Sequence, residues 1–371
     1  FFFRVRTCFF CGMMSQCGKQ KRKVRENVEM NGKTWKTVGA AAITVCLLCG
    51  SGLAVFAAER VPGGEPVGIR VNLDGAMVAD LGEVQTAQGA VSPAGEAGIL
   101  PGDLIVKCGS RDIHNLADFN QAVAEQQGAP VTLTVERSGA SKQVTVAPVR
   151  SETGTYQFGL WLRDCVTGLG TMTYYDPETG IYGALGHGIN DAATGEPVSI
   201  QGGALYPAEV SGVIKGKSGA PGALCGGVTG NALCGTIAEN TVFGIFGRYD
   251  GPMPENVETV LCGESGEAKP GPAEIVTTVD GTERQTFSVN IDRVFRENGE
   301  ERFLMTVTDR QLLEKTGGIV QGMSGSPILQ NGKLIGAVTH VLTDNPQRGY
   351  GLGIQKMLET AEKLLETQAA A

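Results

Sequence analysis

Apolar and polar positions alternate in short runs along most of this chain. Gly68-Ile69-Arg70-Val71-Asn72-Leu73 and Val84-Gln85 read as strands, as do Val131-Thr132-Leu133-Thr134-Val135 and Val144-Thr145-Val146. Between them, Ala117 to Gln127 carries Phe119, Ala122 and Val123 at helical spacing. Residues 155 to about 350 continue as short strands: Gly159-Leu160-Trp161-Leu162, Gly170 to Tyr175, Val242 to Phe246, Phe303 to Val307 and Leu334 to Val338. Turn signals such as Asp176-Pro177-Glu178-Thr179-Gly180 and Asn331-Gly332 separate them, which predicts a barrel or sandwich. A final amphipathic helix is predicted from Ile354, Met357, Leu358, Ala361, Leu364 and Leu365.

One stretch breaks this pattern. Val38 to Ala58 is 21 residues long and uncharged, just enough to span a bilayer core of about 30 Å. Lys33 and Lys36 precede it, so residues 1–37 are expected to stay cytoplasmic and everything after Glu59 to lie outside. Val55-Phe56-Ala57 also has the small-residue character of a cleavage site, so residues 38–58 read as a transmembrane anchor or a signal peptide. Glu59 to Glu65 reads as a linker.

Charge divides along the same line. Residues 1–37 hold nine Lys/Arg and two Asp/Glu, leaving 22 basic against 37 acidic residues in the remainder. An acidic body argues against nucleic-acid binding. With 371 residues, 54 of them glycine, the chain has room for two domains rich in turns. Cys8-x-x-Cys11 is given no redox or metal role, because the chain opens with Phe and Phe1 to Gly12 are read as upstream of the start, with Met13, Met14 or Met30 as candidates. Past the apolar stretch only Cys108, Cys165, Cys225, Cys234 and Cys262 remain, an odd number without a paired Cys-x-x-Cys. No zinc site, disulfide framework or cofactor is indicated, and buried free thiols are expected.

Candidate chemistry concentrates at Gly322-Met323-Ser324-Gly325-Ser326-Pro327. A serine between glycines in a tight turn presents a hydroxyl and bare backbone N–H groups to a carbonyl. Three histidines are available as a base: His114, His187 and His340. His187 lies among small residues in Gly183-Ala184-Leu185-Gly186-His187-Gly188, where other backbone can approach the ring. Ser326 is the rival nucleophile, but Pro327 follows it directly. His340 is expected to line the cleft or serve structure, and His114 to face solvent.

The run Ser92-Pro93-Ala94 through Ala97-Gly98-Ile99-Leu100-Pro101-Gly102-Asp103-Leu104-Ile105 resembles a PDZ domain, placed over residues 65–150. In that family a peptide adds as a strand beside a glycine-containing loop. The resemblance implies that Val67, Gly68, Ile69, Arg70 and Val71 bind peptide, with Val67-Gly68-Ile69 as the loop and Ile69 to Leu73 as the docking edge. A role for the module in packing alone stays open.

Four further motifs, Gly159 to Asp164, Gly168 to Thr173, Gly183 to Gly188 and Gly322 to Pro327, together resemble the stage IV sporulation protein B peptidase family, with the peptidase domain over residues 155–366. The resemblance implies a mainly β protein, a PDZ domain followed by a chymotrypsin-like double β-barrel. It implies a serine endopeptidase that cleaves itself and a membrane-bound sporulation regulator in the space between the mother-cell and forespore membranes, so that a pro-sigma factor is processed. Ser324 would be the nucleophile, His187 the general base, and the N–H groups of Gly322 and Ser324 the oxyanion hole. Asp309 matches the position suspected of orienting the base, yet it also looks like a helix N-cap, and Asp164 and Asp191 compete for the role. A non-catalytic envelope scaffold with a PDZ module is the alternative. A PDZ-bearing intramembrane metalloprotease is disfavoured because the chain lacks His-Glu-x-x-His.

Overall fold

The computed structural model describes residues 58–190, 195, 197–252 and 258–370. The basic N-terminus and residues 38–57 of the apolar stretch lie outside the described residues, as does Asp191. Among the described residues no helix is long and apolar enough to cross a membrane.

The chain enters the fold as strand Glu59–Pro62, paired with Tyr174–Tyr175 on one side and Val260–Leu261 on the other. This segment was expected to be a linker. Val61 and Pro62 are buried there, and the Arg284 guanidinium donates to the carbonyls of Pro62 and Gly63, so it is a strap across the body.

Strand β1 (Pro66–Leu81) then serves two units in succession. Its first half belongs to a β-barrel; from Ala76 onward it enters the PDZ module, followed by β2 (Leu104–Cys108), helix α1 (Leu116–Glu125), β3 (Val131–Arg137) and β4 (Ala140–Val146). Ala76, Val78, Ile99, Ile105, Phe119, Leu133 and Phe158 form that module's core. Asp103 of the Pro-Gly-Asp turn is 1% exposed and binds Arg137 through both carboxylate oxygens, at 2.6 Å each. A buried carboxylate held by a planar guanidinium fork fixes this turn.

Strand β5 (Leu160–Tyr175) leads back. Its first residues pair with the PDZ half of β1 and its later ones with the barrel half. The register breaks between them: Arg163 pairs with Met77, but Cys165 pairs with Asn72. The PDZ module is therefore inserted between the first two strands of the barrel, where the sequence reading had placed it ahead of the peptidase domain. Strands β6 (Ile181–Ala184), β7 (Ile200–Ile214), β8 (Ala223–Val228), β9 (Gly235–Thr241) and β10 (Gly244–Tyr249) follow. The pairing β1–β5–β6–β10–β9–β7 returns to β1 and closes a six-stranded ring. Strand β8 lies outside it, paired with β7.

A second six-stranded barrel closes from β11 (Gly271–Thr277), β12 (Gln285–Glu297), β13 (Glu300–Val307), β14 (Pro327–Gln330), β15 (Lys333–Leu342) and β16 (Asn345–Gly353). Its core is Ile275, Phe287, Ile291, Phe303, Met305, Ile328 and Val338. Asn331 and Gly332, both at positive φ, make the tight hairpin turn between β14 and β15. Helix α2 (Arg310–Thr316) precedes the Ser324 turn, and helix α3 (Ile354–Ala370) packs Met357, Leu358, Ala361 and Leu364 against Tyr174, Ile181 and Phe246. The architecture is a chymotrypsin-like double β-barrel carrying a PDZ domain.

Candidate active site

The two barrels meet along a cleft of about 520 Å³ that His187 and Ser324 both line. Ser324 reaches it on a turn held by barrel one. The Thr171 hydroxyl donates to the Gly322 carbonyl at 2.7 Å, and the Thr171 N–H donates to the Ser324 carbonyl at 3.1 Å. Gly325 has φ +98°, and a Cβ there would lie 2.1 Å from the Thr171 carbonyl oxygen, so glycine is needed on both counts. Among the described residues, neither the Gly322 nor the Ser324 N–H donates to a protein acceptor. These two donors are free for an oxyanion. Ser326, by contrast, is fully buried, and its hydroxyl donates to the Met323 carbonyl at 2.7 Å.

His187 follows Leu185 and Gly186, both at positive φ. A Cβ on Gly186 would lie 3.1 Å from the Ala337 Cβ and 3.3 Å from the Thr339 Cγ2. The small residues around His187 thus let barrel two approach. The Nδ1 of His187 lies 2.7 Å from the Gly188 carbonyl oxygen, which can only accept, so Nδ1 carries the proton and Nε2 is left as the base. Burial pushes the His187 imidazole below the usual histidine range, and the Gly188 carbonyl partly offsets this.

No carboxylate meets His187 among the residues lining the cleft. Asp309 is the N-cap of α2: it accepts from the Leu312 N–H at 3.0 Å and, at 3.5 Å, from the Ser288 N–H. The structure does not bring it to the base, because the cap fixes it on the α2 side of barrel two. Asp164 accepts from the Leu116 N–H at the start of α1. His340 is in the cleft, with its ring centroid 4.8 Å from that of His187. His114 is exposed and bonded to Asp74.

The peptide-binding edge expected at Val67 to Val71 is not an edge. Val67–Val71 pairs with Thr167 to Gly170 and Val166 of β5 on one side and with Gly203 to Pro207 of β7 on the other, so both rows of backbone groups are used inside barrel one. The free edge that borders α1 in the PDZ module is the start of β5. Leu160 to Arg163 pairs only with β1, and its other side faces α1 across a groove of about 450 Å³ lined by Leu116, Phe119, Asn120, Val123 and Phe158 to Leu162. Phe158-Gly159-Leu160 places a glycine between apolar residues at the groove's end, a signal present in the sequence and assigned there to another motif. The five described cysteines are all free; Cys108, Cys234 and Cys262 are buried, whereas Cys165 and Cys225 are partly exposed.

Residues 154–358, more than half of the chain, match the SpoIVB peptidase S55 family, and residues 86–137 match the PDZ domain. The chain belongs to the SpoIVB peptidase S55 family. That family is described as one of peptidases. Two curated relatives share shorter stretches. A putative zinc metalloprotease of Clostridium perfringens is 39% identical over 69 residues, 19% of this chain and 21% of that protein. One of Agrobacterium fabrum is 34% identical over 97 residues, 26% of this chain and 25% of that protein. The chain spans only a fifth to a quarter of these relatives' length. A crystal structure of an inactive mutant of Rv3671c from M. tuberculosis H37Rv covers 54% of this chain and 83% of that one, with TM-score 0.31 and 14% identity.

Proposed function

We propose that this S55 peptidase is a sporulation endopeptidase that cleaves itself and a membrane-bound regulator, leading to pro-sigma factor processing. The observation that carries the catalytic part is that Ser324 and His187 line one inter-barrel cleft, with the Gly322 and Ser324 N–H groups left free. His187 Nε2 takes the hydroxyl proton as Ser324 attacks the scissile carbonyl, and returns it to the leaving amine. The site of action is extracytoplasmic, between the mother-cell and forespore membranes, with residues 38–58 as anchor or signal peptide; the family and the apolar stretch in the sequence support this.

The cleft also limits the substrate. Its described lining holds Ile69, Val166, Leu169, Leu185, Ile189, Ile319, Val320 and Val341, and no Asp, Glu, Lys or Arg. Such walls favour an apolar side chain next to the scissile bond, since a charged one would be desolvated without a partner. The PDZ groove would hold a peptide terminus, its own or the regulator's, and raise the local concentration of the cleavable segment.

The test uses the purified chain, a fluorophosphonate probe and a peptide library. Labelling of wild type but not of Ser324→Ala, with cleavage at apolar residues, is expected. A wild-type protein that neither labels nor cleaves would leave the PDZ scaffold reading in its place.

A further inference from the structure

Consecutive residues of β15 touch the two catalytic side chains. The Thr339 carbonyl accepts from the Ser324 hydroxyl at 2.6 Å, and the His340 ring lies against the His187 ring with 4.8 Å between centroids and 32° between planes. Both sit in a bulge. Val338 pairs with Gly351 and Val341 with Gly349, so Thr339 and His340 together oppose Tyr350 alone. An extra residue in one strand re-aims side chains, and such bulges occur next to active sites.

A base in this chemistry needs a fixed tautomer, a fixed ring plane and some compensation for the positive charge it acquires. The Gly188 carbonyl supplies the first, but as a neutral acceptor it supplies less of the third than a carboxylate would. Among the described residues lining the cleft, His187 and His340 are the sole titratable groups. We propose that His340 is a positioning residue for His187, its ring holding the plane of the base and presenting a π face to the imidazolium, which supplies part of the charge compensation that the Gly188 carbonyl does not. This rests on the reading of Ser324 and His187 as the working pair.

Several features agree with it. A ring face within about 6 Å of a cation attracts it. His340 must itself be neutral to do so; the residue keeps an exposed side, and the desolvation of its cleft side, the neighbouring His187 and the more distant Arg302 push it down, to about 4. Gly186 leaves the room that brings the Thr339 end of the bulge to the His187 loop.

The experiment compares wild type, His340→Ala, His340→Gln and His340→Phe for thermal melting, kcat and KM on a small apolar peptide ester, and the pH profile of kcat/KM. His340→Ala is expected to lose about tenfold in kcat with KM nearly unchanged. Its acidic limb should move to lower pH, because the His187 imidazolium loses the ring face that favours it. His340→Phe, which keeps a ring, should recover most of kcat and return the limb; His340→Gln should behave like Ala and stands in for it if Ala melts early. A rise in KM with kcat intact would make His340 a substrate contact and overturn the proposal. Equal losses in Ala, Gln and Phe without movement of the limb would overturn it as well. If wild type itself fails to turn over the ester, the Ser324–His187 reading falls first.

Discussion

The Ser324 hydroxyl donates to the Thr339 carbonyl 2.6 Å away, not to His187. Catalytic hydrogen bonds in a free enzyme are often long or misdirected and tighten only with substrate. The hydroxyl turns on a single rotatable bond, so a change of rotamer releases it from Thr339 into the cleft that His187 also lines. The turn that carries it does not have to move, since Thr171 pins it from both sides of the serine.

Replacing Ser324 should separate chemistry from folding. Ser324→Ala is expected to melt as wild type does and to lose several orders of magnitude in kcat. His187→Ala should lose as much and the double variant no more, because the two act as one unit. Ser326→Ala, which deletes a buried donor to Met323, should instead cost about 1 kcal/mol of stability and keep most activity. Reversed phenotypes for the two serines would move the nucleophile to Ser326.

The acidic limb of kcat/KM should lie below 6.5, the ordinary histidine value. The sign follows from the role: a base must be neutral, and burial makes the His187 imidazolium harder to form, so activity persists to lower pH. A profile of kcat/KM on a small ester measures this. A limb at or above the ordinary value would mean that a carboxylate, Asp191 being a candidate, sits beside the base in the working enzyme.

Peptide capture is assigned to the α1–β5 groove, and two variants test it. Val123→Glu places a carboxylate in the groove wall and should weaken binding of an apolar C-terminal peptide about tenfold or more, through repulsion of the peptide carboxylate. Labelling of Ser324 by a small probe should not change. At Gly68 a Cβ would lie 2.4 Å from the Val228 Cγ1, so a bulky residue there should lower the melting temperature of barrel one and leave peptide affinity alone. Fluorescence anisotropy with a labelled peptide decides; loss of binding at Gly68 with Val123→Glu silent would return the ligand to β1.

The sequence was readable wherever one local rule decided the outcome. Asn331-Gly332 forms a hairpin turn because both residues tolerate positive φ, and Ile354 to Leu365 forms an amphipathic helix because one apolar face has a core to cover. The serine turn was legible for the same reason. What could not be read was sharing of a strand between units. Val67 to Leu73 alternates as a PDZ edge would, and nothing local says that β5 and β7 occupy both its sides. Asp309 was legible as a cap from Arg310 to Gly317, whereas its distance from His187 depends on how barrel two closes. Thr171 was legible only as part of the Gly168 to Thr173 motif and His340 only as a cleft residue; their contacts with the serine turn and with His187 arise between residues more than a hundred positions apart or from pairing register.

Glu65 offers a test of how the barrels are held together. Its carboxylate accepts from the Tyr175 hydroxyl and lies 4.0 Å from Arg284, with one oxygen buried and without a hydrogen-bond partner. Burial raises its pKa above 4.5, and the Tyr175 hydrogen bond and Arg284 offset only part of that. A carboxyl that holds its proton more tightly when folded favours folding at low pH, and this contribution is lost as pH rises through the folded value. Near neutral pH the charged form therefore costs stability. Glu65→Gln keeps an acceptor for Tyr175 without the charge, so it should stabilise near neutral pH by on the order of 1 kcal/mol, with the gain shrinking as pH falls to about 4.5. Melting curves of both proteins across that range measure it. A variant less stable than wild type near neutral pH would show that attraction to Arg284 outweighs the cost of burial, and that Glu65 is a charged clasp between the strap and barrel two.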